Sequence, residues 1–83
     1  MNDDFTLSIH YKGEQKEFEA RLVQFGYSYR IVVTVIDVEI YFEPDEERNF
    51  RVVKMPGQDE QKLEKIDKGL LQELKDKIEF IIR

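Results

Sequence analysis

The chain has 83 residues, enough for one small domain with one core and too few for two. With 41% hydrophobic residues it is too apolar for a disordered tail, and 13 Lys and Arg against 18 Asp and Glu leave a net charge of -5. No cysteine is present and His10 is the one histidine, which excludes disulfides, a thiol nucleophile, zinc–thiolate sites, iron–sulfur clusters and multi-histidine metal sites.

The acidic balance also bears on partners. Residues 1–57 carry a net charge of -4 and residues 58–83 a net charge of -1. Neither segment offers the clustered cations that phosphate backbones require, so nucleic acid is not an expected partner. No apolar run approaches the roughly 18 residues of a membrane helix. The acidic start, Met1-Asn2-Asp3-Asp4, is the opposite of a secretory leader. These features point to a cytoplasmic protein without a membrane partner.

Period-two alternation predicts a first strand over 4–11, with Phe5, Leu7, Ile9 and Tyr11 on one face and Thr6, Ser8 and His10 on the other. Lys12-Gly13-Glu14-Gln15 reads as a turn, and a second strand covers 16–25 through Phe18, Ala20 and Leu22. Pairing Tyr11 with Lys16 sets Ile9 against Phe18, Leu7 against Ala20 and Phe5 against Leu22. Every apolar residue then lands on one face, which a slip by one residue would undo.

Gly26-Tyr27 suits a two-residue type II′ turn with glycine first, pairing Phe25 with Ser28, Leu22 with Ile31 and Ala20 with Val33. The third strand covers 28–35. Ile36-Asp37 then stands where a second tight turn belongs. A type I′ turn needs positive φ at both positions, which strains a β-branched residue; the alternative is a wider, four-residue loop. A fourth strand over 38–43 pairs Val35 with Val38, Val33 with Ile40 and Ile31 with Phe42, and on the outer face Arg30 with Glu43. Pro44-Asp45-Glu46-Glu47-Arg48 closes a further hairpin into a strand over 50–54, setting Phe42 against Phe50 and Ile40 against Val52.

Met55-Pro56-Gly57-Gln58 ends the sheet. Leu70, Leu74, Ile78 and Ile81 then recur at helical spacing, widened by Leu71 and Ile82, and predict a helix over 68–82. Asp67 as N-cap would place Gly69 in the first turn. A start near Asp59 would leave Gly69 inside a long helix at a cost of about 1 kcal/mol relative to alanine. Residues 58–66 then read as irregular or as a weak helical lead-in anchored by Leu63 and Ile66. The resulting fold class is α+β: one domain over 1–83, a five-stranded antiparallel β-meander with one C-terminal α-helix packed across one face. A 15-residue helix is ~22 Å long, and five strands span ~19 Å. One helix laid diagonally therefore closes the domain without covering the whole face.

Several constellations are candidates for chemistry. Val23, Val32, Tyr41 and Val53 point outward on consecutive strands and form a band that could carry a partner or a second copy, or be ordinary cross-strand pairs among Glu19, Arg21, Arg30, Thr34, Glu39 and Arg51. Glu43, Asp45, Glu46 and Glu47 concentrate carboxylates but lack the alternation and bend glycine of a calcium loop, so they read as a solvated turn, with a weak cation site as the alternative. His10 faces Glu17 in this register and reads as an exposed cross-strand pair without a catalytic role, the alternative being half of an acid–base dyad with no nucleophile placed beside it. Tyr11, Tyr27, Tyr29 and Tyr41 read as core and edge packing. The apolar end, Ile81-Ile82-Arg83, is expected to dock on the sheet or on a second subunit. No glycine-rich phosphate loop is present, and no cofactor or catalytic group is expected. The composite expectation is a non-enzymatic protein-interaction or homodimerisation module using the outer sheet face or an edge strand. The alternative is a small-ligand-binding domain with its pocket between helix and sheet.

Overall fold

The structure, a computed structural model, describes residues 4–47, 49–58 and 60–82, without the side chain of Phe25. Five strands, β1 (Asp4–Tyr11), β2 (Glu14–Phe25), β3 (Ser28–Val35), β4 (Val38–Pro44) and β5 (Phe50–Val53), form one open antiparallel sheet in chain order. Two helices follow, α1 (Glu60–Glu64) and α2 (Lys68–Ile82). The α+β class and the meander are as the periodicity predicts. The stretch read as irregular or a helical lead-in contains a one-turn helix, α1.

Each hairpin is set by its turn. Gly26 has a φ of 61° and Tyr27 does not share the positive sign, which fits the type II′ geometry and the pairing of Phe25 with Ser28. Ile36 and Asp37 both adopt positive φ, 44° and 66°, so the strained two-residue turn is the one adopted, with Val35 paired to Val38. The first turn corrects the sequence reading. Lys12 and Gly13 both have positive φ, 51° and 78°, so the turn has two residues and β2 begins at Glu14. Tyr11 therefore pairs with Glu14, Ile9 with Lys16, Leu7 with Phe18 and Phe5 with Ala20. A slip of two preserves every residue's face, so the apolar pattern cannot separate the two registers; the compact turn matches the right-handed strand twist and decides between them.

The last hairpin is corrected in the same way. Phe42 faces Val52 and Phe50 faces Pro44. Asp45 closes a shorter loop: its N–H donates to Asn49 O at 2.8 Å, and its Oδ1 accepts from the Glu47 and Asn49 amides at 2.8 and 3.0 Å. Arg48 of the expected turn and Asp59, the alternative helix cap, lie outside the described residues. β4 runs one residue further than expected, and β5 one residue less.

One face of the sheet and one stripe of α2 make the core: Leu7, Ile9, Ala20, Ile31, Val33, Val35, Ile40, Phe42 and Phe50 against Leu70, Leu74 and Ile78. α2 crosses diagonally, touching β1 near its start and β5 near its end. Asp67 caps it, with Oδ1 accepting from the Gly69 amide at 2.8 Å and its carbonyl from the Leu71 amide at 3.1 Å. The end of the stripe departs from expectation. Ile78 is buried, whereas Phe80, Ile81 and Ile82 stand exposed beside half-exposed Val52.

Candidate functional site

The outer band is discontinuous. Val32 is only 1% exposed, while Val23, Tyr41 and Val53 are half-buried. Arg21, directly opposite Val32, reaches over β3 to Glu39 at 2.6 Å. Arg30 and Arg51 both approach Glu43, each at 3.9 Å, which places Arg30 beside Glu43 as the sequence suggests. Two sets of ion pairs thus flank the apolar positions. Val32→Asp would bury a charge and cost several kcal/mol of stability, so it is unsuitable as a probe of an interface.

His10 pairs with Gln15, and Glu17 lies opposite Ser8. The expected His10–Glu17 pair is therefore not formed, because the two-residue turn moves Glu17 along the strand. Glu43, Asp45, Glu46 and Glu47 line an open hollow with Ser28, Pro44 and Arg51, and the Asp45 carboxylate is taken by loop amides. No group of three or more metal-ligating side chains occurs among the described residues, and no described helix is long and apolar enough to cross a membrane.

Three further features emerge from the tertiary structure. The first is a tie between the β1–β2 turn and the start of α2. The Tyr11 hydroxyl donates to Asp67 Oδ2, and Lys12 Nζ lies 3.3 Å from the same oxygen. The hydrogen bond to Asp67 raises the Tyr11 pKa and, from the other side, lowers that of Asp67; Lys12 is raised chiefly by its own bond to Asp67. A Cβ on Gly69 would lie 3.2 Å from the Tyr11 hydroxyl, which accounts for a glycine in the first helical turn.

The second is a cleft of about 430 Å³ where the β3–β4 turn meets the α1–α2 elbow, with Val35, Val38, Ile66 and Leu70 as apolar walls and Lys62 and Lys65 on its lining. Ile36, 88% exposed and in a left-handed conformation, stands at its rim.

The third is an asymmetry between the two sheet edges. At the β5 edge, the Phe50 amide donates to Glu79 Oε2 of α2 at 2.8 Å, and Lys75 holds the same carboxylate oxygen at 3.2 Å. Beyond β5, Gln58 stitches the chain to β4 and not to the edge: the Met55 amide donates to its Oε1 at 2.7 Å, and its Nε2 donates to Glu39 O at 2.6 Å. β5 has four residues, lies between Pro44 and Pro56 and carries Arg51, with Lys54 following. It is short, charged and covered, the usual protections of an edge. β1 is longer and carries a single carboxylate, Asp4, at its start. It runs for eight residues, Asp4–Tyr11, without Lys, Arg or Pro, and pairs with β2 alone among the described strands. Strand length and composition could have signalled this difference, since both are readable in the sequence; the helix-borne cover on β5 could not. Comparisons with protein-family models, curated proteins and solved structures give no match.

Proposed function

We propose that this chain is a non-enzymatic interaction module that joins another protein chain by strand addition along β1. The observation that supports it is the edge asymmetry: β5 is four residues long and its Phe50 amide is taken by Glu79, whereas β1 presents an eight-residue edge with one carboxylate, Asp4, at its start and no proline. The outer band of Val23, Val32, Tyr41 and Val53 offers less, because ion pairs flank it and Val32 is buried. The exposed end of α2 supplies apolar area but no directed hydrogen bonds.

Amide exchange tests the reading. In dilute protein the Thr6, Ser8 and His10 amides should exchange fast while those of Phe5, Leu7 and Ile9 are protected by β2. A synthetic peptide of residues 4–11 should slow the first set. Fast exchange of the first set that the peptide leaves unchanged would contradict strand addition.

The cleft favours a second reading, a binding site for a small ligand with a hydrocarbon portion. Its apolar walls would take that portion, and Lys62 and Lys65 share the lining with Asp37 and Asp67. Titration with dodecanoate should shift the resonances of Val35, Val38, Ile66 and Leu70; silence at these positions would set the reading aside.

A further inference from the structure

We infer that the partner strand belongs to a second copy of this chain, paired antiparallel through β1 with Leu7 on the two-fold axis. The inference rests on the strand-addition reading and specifies its partner.

The turn fixes which backbone groups are available. In the two-residue turn at Lys12-Gly13, the Tyr11 carbonyl accepts from the Glu14 amide, so Tyr11–Glu14 is a hydrogen-bonded pair. Bonded and non-bonded pairs alternate along an antiparallel ladder. Ile9–Lys16, Leu7–Phe18 and Phe5–Ala20 are then bonded as well. The backbone groups of Asp4, Thr6, Ser8 and His10 therefore face the open edge. A second β1 must offer the same four, so these residues pair among themselves. That parity also keeps Phe5, Leu7 and Ile9 of both copies on the helix side.

A symmetric pair meeting this rule has its axis at one residue of the strand. With the axis on Thr6, His10 finds no partner within β1; with it on Ser8, Asp4 finds none. The axis on Leu7 engages all four. Asp4 then lies opposite His10 of the second copy, placing a carboxylate against an imidazole at both ends, and Thr6 lies opposite Ser8, a hydroxyl pair. On the helix side Leu7 lies opposite its own copy and Phe5 opposite Ile9; Leu7 and Ile9 are already buried in the single copy, so half-buried Phe5 is the side chain that gains cover there. The edge is thus complementary to itself, as a two-fold interface requires.

The chain has no cysteine, so introduced thiols report the register directly. Thr6 and Ser8 point away from the core, and a bonded cross-strand pair has a Cα separation of ~5.5 Å, suited to a disulfide. The variants are Thr6→Cys, Ser8→Cys and the double variant, oxidised and resolved on non-reducing gels beside light scattering of the reduced protein. The inferred register gives a covalent dimer with the double variant and none with either single variant. A dimer from Thr6→Cys alone or Ser8→Cys alone would move the axis to that residue, overturning the register while keeping strand addition. A reduced protein of twice the monomer mass with no cross-link in any variant would place the contact elsewhere and overturn both readings. A monomer at every concentration would exclude the second copy as partner, leaving the peptide experiment to decide strand addition itself.

Discussion

Ile36 and Asp37 occupy left-handed backbone positions at the β3–β4 turn, and relieving them should stabilise the domain measurably. A left-handed conformation costs an L-residue about 1–2 kcal/mol, with Asn and Asp bearing it more easily. Ile36 is 88% exposed, so removing its side chain forfeits little burial. Asn at position 36 recovers most of the strain. Gly at position 37 recovers a smaller share, partly offset by the roughly 0.5–1 kcal/mol that glycine gives back to the unfolded chain. The net gain for Ile36→Asn with Asp37→Gly is about 1 kcal/mol, and for a domain of this size 1 kcal/mol raises Tm by roughly 4–8 °C. Thermal melts followed by circular dichroism measure it, at one fixed protein concentration because assembly would otherwise contribute. An unchanged or lowered Tm would refute the reasoning and mean that the Ile36 side chain is stabilising where it stands.

Two further outcomes follow from the ties between helix and sheet. The Tyr11 hydroxyl holds the Asp67 carboxyl below its ordinary value of 3.8. A depressed carboxyl contributes stability above its unfolded pKa and loses it as pH falls through the folded one. Tyr11→Phe should therefore lower Tm at neutral pH, and the gap from wild type should narrow below pH 3.8; a gap constant across that range would mean that Tyr11 acts through packing alone. Glu79→Ala frees the Phe50 amide and uncovers the β5 edge, so the variant should form chains of copies larger than dimers in sedimentation velocity. Unchanged assembly would show that this carboxylate does not guard the edge.

Much of the fold was legible because it depends on period. Alternation sorted every strand residue to its face, and Leu70, Leu74 and Ile78 lie where helical spacing sets them. Registers were legible where a turn was unambiguous, as at Gly26-Tyr27, and were off by two where it was not, at Lys12-Gly13 and after Pro44. A shift of two leaves the face pattern intact, so alternation carries no information about it. The cross-strand pair expected between His10 and Glu17 was lost to that same shift. Val32 points outward as the alternation indicates but is buried, and the ion pair beside it, Arg21 reaching two strands away to Glu39, is a tertiary contact without a local signature. The open edge of β1 was half legible: the strand's place at the sheet margin followed from the meander, whereas the closure of β5 by Glu79 required the helix crossing.

Self-association through β1 is the central claim, and Ser8→Pro tests it most directly. The Ser8 amide faces the open edge, so proline there removes a bond to the second copy and none to β2. Light scattering from micromolar to millimolar concentration should show wild-type mass rising towards twice that of the monomer, with Ser8→Pro folded and monomeric throughout. Equal association of the two proteins, or a wild type that stays monomeric, would contradict it.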